Sequence, residues 1–71
     1  MGETKHEKFK RLATVRTNVI LDRLHQLGKL SNKSNYYYTD AEINNIFRTI
    51  EQQVKEARTR FKSPKKVKIE L

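Results

Sequence analysis

Neither glycine nor proline occurs between Lys5 and Leu27, and after Gly28 neither returns until Pro64. Because these two residues are the strongest local interrupters of regular backbone structure, the chain is left with two long stretches whose conformation is decided by apolar period. In the first, Phe9, Leu12, Ala13, Val19, Ile20, Leu24 and Leu27 recur at three- and four-residue steps. That spacing predicts an amphipathic helix over about 5–27. Its expected stop is Gly28 in the left-handed conformation that follows many helices, with Leu30 folding back on the last turn.

The second helix is signalled by Thr39-Asp40-Ala41-Glu42, which has the spacing of a capping box. Thr39 accepts from the third helical amide in such a motif, and Glu42 reaches back to the cap amide. Tyr38 and Ile43 are spaced as a hydrophobic staple, and Asp40 suits the positive helix end. Ile43, Phe47, Ile50, Val54, Ala57 and Phe61 then follow a four-three-four-three-four pattern, widened by Ile46. This heptad-like seam predicts a helix over about 40–62. Pro64 disfavours helical geometry at Ser63, so the helix is expected to end there.

An all-α fold follows, with the two helices as an antiparallel hairpin over residues 1–63, a polar, tyrosine-rich connection over 28–39 and a flexible basic tail over 64–71. The chain is one domain at most, and it has no cysteine, which removes disulfides and thiolate-bound metal as sources of stability. A hairpin has one mutual seam, whereas its apolar arcs are wider than that seam. The remaining surface calls for a second copy of the chain, as a homodimer, or for a larger protein partner. No segment approaches the length of a membrane span, and MGETKHEKFK lacks the apolar core of a signal peptide, so a cytoplasmic protein with no membrane association is expected.

Sixteen Lys and Arg against eight Asp and Glu give a net charge of +8, which favours polyanions or acidic proteins as partners. Three groups of residues are candidates for contact. Arg16, with Arg23 beside it, falls inside the apolar arc of the first helix. It either snorkels out of the seam and pairs with a carboxylate, or is directed at an interface or a phosphate. Tyr36 and Tyr37, beside Asn32, Lys33 and Asn35, either cover the open end of the hairpin or stack on unpaired bases or into protein pockets. Arg48, Lys55 and Lys62 recur every seven residues on the second helix, the tail adds Lys65, Lys66 and Lys68, and the first helix adds Lys5, Lys8, Lys10 and Arg11. Such rows are either a solvated face, interrupted here by Glu51 and Glu56, or a phosphate-contacting one.

Catalytic patterns are missing. His6 and His25 are 19 residues apart with no nearby ligand set, and there is no glycine-rich phosphate loop or cysteine nucleophile. No metal, no cofactor and no catalytic residue is expected, and the chain is read as non-enzymatic by itself. The dozen-residue connection is also too long for a helix-turn-helix.

The segment from Lys8 to Phe61 resembles a widespread group of small bacterial proteins that accompany mobile-element genes. The resemblance rests on a basic first helix with Arg16 followed by Asn18, on the connection GKLSNKSNYYYT from Gly28 to Thr39, and on a phenylalanine-containing second helix. Within that group the sequence is similar to the small middle proteins encoded beside an A-family DNA polymerase in staphylococcal chromosome cassette replication operons. The resemblance implies a non-catalytic subunit that binds the A-family DNA polymerase and enables de novo primer synthesis, with single-stranded DNA held in the complex. It also adds Asn18 to the contact candidates. A small basic nucleic-acid-binding regulator, or an inhibitor or adaptor acting on another protein, is the alternative expectation.

Overall fold

The computed structural model describes residues 2–62, and among these the regular structure is entirely helical. Helix α1 spans Lys5–Gly28, a short 3-10 turn spans Lys29–Ser31, and helix α2 spans Asp40–Lys62. The expected stop at Ser63-Pro64 and the tail cations Lys65, Lys66 and Lys68 lie outside the described residues. The chain divides into two units, Met1–Tyr37 and Tyr38–Leu71, each organised around one helix.

In the first unit, α1 begins at a capping box that the sequence reading passed over. Thr4, in extended geometry, accepts from the Glu7 amide at 3.1 Å through its hydroxyl, and the Glu7 carboxylate accepts from the Thr4 amide at 3.0 Å. Two of the four amides that a helix start leaves unpaired are satisfied this way. Just outside, Glu3 receives a two-pronged grip from Arg11, with Nε to Oε2 at 2.9 Å and Nη2 to Oε1 at 2.8 Å. A planar guanidinium matches a carboxylate in this manner, and it draws the residue before the cap back over two turns of helix.

The end of α1 corrects the expectation for Gly28. Its φ of −61° and ψ of −27° are right-handed, and no described residue has positive φ. The chain tightens into the 3-10 turn instead, and the Lys29 amide is directed to the carbonyls of Gln26 and His25. Sharing one donor between successive carbonyls is how a helix narrows at its end without a left-handed residue.

In the second unit, α2 starts as the TDAE spacing predicts. Glu42 donates its amide to the Thr39 hydroxyl at 3.1 Å, and the Glu42 carboxylate accepts from the Thr39 amide at 2.8 Å. The Thr39 carbonyl accepts the first helical bond, from Ile43, at 3.1 Å. Tyr38 and Ile43, the staple pair, are both partly shielded from solvent.

No described residue is buried. Leu12, Ala13 and Leu27 are the partly covered residues of α1, and Tyr38, Ile43 and Ile50 those of the second unit. The other large apolar residues of both stripes, including Phe9, Ile20, Phe47, Val54 and Phe61, are exposed. Within its own unit each helix therefore owes its local form to caps and backbone hydrogen bonds, and its apolar face is exposed.

Candidate interaction surfaces

On α1, at about 100° per residue, Phe9, Ala13, Ile20 and Leu27 share one line, Arg16 lies on that same line, and Arg23 is a step to its side. Arg16 and Arg23 are both exposed, and neither pairs with a carboxylate among the described residues. Within the first unit Arg16 thus occupies a position inside the apolar arc with no carboxylate of α1 paired to it. Asn18 is two residues along, roughly 200° around the helix, and so lies on the opposite face from Arg16. The Arg16 and Asn18 of the resemblance cannot touch one flat surface together. Asn18 falls in line with Arg11, Thr14 and His25 on the polar side.

The basic group of α1 is smaller than composition suggests. Arg11 is committed to Glu3, and the guanidinium beside that carboxylate holds it below its ordinary pKa. Glu7 is also lowered, first by the Thr4 amide and then by the Thr4 hydroxyl. Thr14 bonds back to the Lys10 carbonyl at 2.7 Å, and Gln26 donates to Asp22 at 2.9 Å. These side chains serve the helix itself.

The turn after α1 is built around Asn32. Its side-chain oxygen accepts from the Ser34 amide at 3.0 Å, and its carbonyl accepts from Asn35 at 3.1 Å and Tyr36 at 3.0 Å. An asparagine side chain that reaches two residues forward imitates a backbone turn. Asn32 and the Asn35 amide are thus shaping elements, whereas Lys33, Tyr36 and Tyr37 are carried on the turn's surface. Tyr36 is 48% exposed and Tyr37 90%.

On α2, Ile43, Ile46, Phe47, Ile50, Val54, Ala57 and Phe61 occupy one arc about 100° wide that no charged residue enters. Arg48, Lys55 and Lys62 run along one flank, spanning about 21 Å of helix. All three are exposed. Glu56 is occupied in part by Gln52, which donates to it at 3.3 Å, and Thr59 bonds back to the Lys55 carbonyl at 2.9 Å.

Among the described residues no group of three or more His, Cys, Asp or Glu is placed to hold a metal ion, and no helix is long and apolar enough to cross a membrane. The groups gathered here are those of contact: two exposed apolar faces, a cation set into one of them, a cation row beside the other, and an exposed tyrosine on a pinned turn. No family, curated protein or solved structure matches this chain in the comparisons made with each.

Proposed function

We propose that the chain is a non-catalytic accessory subunit that binds an A-family DNA polymerase and enables it to start primers de novo during replication of a mobile genetic element. The observation that supports this reading is the exposure of both apolar stripes on helices that each start at a capping box. A helix with an exposed apolar stripe and no buried residue of its own is suited to completing another protein's surface. The resemblance carried by Arg16, Asn18 and the Gly28–Thr39 connection supplies the identity of that protein.

In this reading α1 and α2 close into an antiparallel hairpin on the polymerase. The seam of α2 meets part of the wider α1 arc, and Arg16 meets a carboxylate at the polymerase surface. The apolar area makes the complex, while the cation row of α2 faces the template. A polymerase of this class grips a template-primer duplex, and those contacts are missing when only a bare template and two nucleotides are present. Added cations that hold the template raise the occupancy of the initiation complex and so convert a rare encounter into an ordered one.

Co-expression with the polymerase encoded beside it, followed by affinity purification and a primer-free DNA synthesis assay, tests the proposal. A stoichiometric complex that makes primers which polymerase alone does not make is the expected result. Failure to co-purify, or equal primer-free synthesis without the chain, overturns it.

A further inference from the structure

The turn that carries Tyr37 has the makings of a binding site of its own. From Gly28 to Thr39 the sequence holds two lysines, Lys29 and Lys33, and no carboxylate. Asn32 fixes the backbone leading to the tyrosines through three hydrogen bonds. At the end of this turn Tyr37 is 90% exposed. An aromatic side chain has only two rotatable angles, so a ring on a restrained backbone loses little freedom when something lies on it.

We propose that this turn is a nucleobase-stacking site for single-stranded nucleic acid, with the Tyr37 ring lying against an unpaired base and Lys29 and Lys33 supplying the positive potential that draws in the backbone. The chemistry favours a base over a protein pocket. A stacking base needs only an open aromatic face, every base has one, and the two lysines of a segment that itself contains no carboxylate attract a polyanion. A duplex offers no free base face to this ring, which restricts the ligand to unpaired strands. Asn32 and Asn35 act here as positioning residues. The site goes beyond the polymerase-subunit reading and does not depend on it, because the Asn32 hydrogen bonds that shape the turn are local.

The full chain contains no tryptophan, so its three tyrosines report directly by intrinsic emission. Titration at low salt with oligothymidylate, with oligouridylate and with an abasic oligonucleotide of the same length separates stacking from charge. Quenching and binding with the two base-bearing strands, and clearly weaker binding of the abasic strand, are expected; the deoxyribose and ribose arms show whether DNA or RNA is preferred. Tyr37→Leu is expected to lower affinity for oligothymidylate by roughly tenfold while Tyr37→Phe retains it. Circular dichroism of both variants is expected to match the parent, since the ring supports no packing. Equal affinity for the abasic strand, or an unchanged affinity in Tyr37→Leu, overturns the site. Loss of polymerase capture by Tyr37→Leu with DNA affinity intact does the same and reassigns the ring to a protein pocket. Failure of the chain to join a polymerase, with base-dependent binding intact, counts only against the subunit role.

Discussion

A guanidinium on the centre line of an apolar arc is costly to cover unless the covering surface brings its own anion. In the proposed subunit role Arg16 would therefore act in specificity more than in stability, since an apolar surface without an anion is disfavoured there. Because Arg16 is exposed and has no carboxylate partner among the described residues, Arg16→Ala is expected to change helix stability by less than about 0.5 kcal/mol. The same change is expected to weaken polymerase binding at least tenfold, and circular dichroism paired with a binding titration reads both quantities. Glu3 and Glu7 make a second test at this scale. Their folded pKa values lie below the ordinary carboxylate value, held down by Arg11 and by Thr4 respectively. The capped form thus binds fewer protons than the unfolded chain in mild acid. Its extra stability is fully present above the ordinary carboxylate pKa of about 4.3 and is lost as pH falls through the lowered values. Amide exchange over the first turns of α1 is expected to quicken in that window, and Glu7→Gln to remove part of the dependence. Arg11 stays charged throughout, since Glu3 raises its pKa further.

At the scale of the element, Gly28 separates two accounts of how α1 ends. A left-handed cap would make Gly28→Ala destabilising, whereas a right-handed Gly28 with nothing within 4 Å of an added Cβ makes it favourable. Gly28→Ala is expected to raise the thermal stability of α1 by up to about 1 kcal/mol, measured by the temperature dependence of ellipticity. The helices themselves were legible because period and caps are local: TDAE and the apolar steps from Ile43 to Phe61 are sufficient for α2. The box at Thr4 and Glu7 was equally legible, in the spacing T-x-x-E, but the apolar period starts only at Phe9 and drew attention past it. Gly28 misleads for a physical reason. Glycine permits the left-handed region without requiring it, and here the 3-10 turn over Lys29–Ser31 and the Asn32 turn redirect the chain instead. The candidate contacts were legible as residue types only. That Asn32 spends its side-chain oxygen on Ser34, that Arg11 is held by Glu3, and that Tyr37 rather than Tyr36 is the open ring are matters of local geometry that composition does not encode.

For the whole molecule, absence of burial among the described residues sets the thermodynamics. Taken by itself, each unit exposes on unfolding little apolar surface that was not already wet, so either helix alone is expected to melt broadly, with a small heat-capacity change and a shallow denaturant slope. Helices of 24 and 23 residues exceed the roughly 12–15 residues at which isolated helices are marginal, so partial helicity persists without cooperativity. Docking on a polymerase, as proposed, would reverse this. Covering Phe9, Ile20, Phe47, Val54 and Phe61 removes apolar area from water, and calorimetric titration at several temperatures is expected to give a distinctly negative binding heat capacity. Phe47→Ala and Phe61→Ala are expected to make it less negative and to weaken the complex. The cation row acts on a different observable. Replacing Arg48, Lys55 and Lys62 with glutamine is expected to leave the heat capacity of polymerase binding unchanged and to flatten the salt dependence of template binding by the complex. Three phosphate contacts at about 0.7 of a unit each for a single strand amount to a change of about 2 in the slope of log affinity against log salt. An unchanged slope with intact polymerase binding would show the row to be a solvated face, and the template would have to be held by other groups.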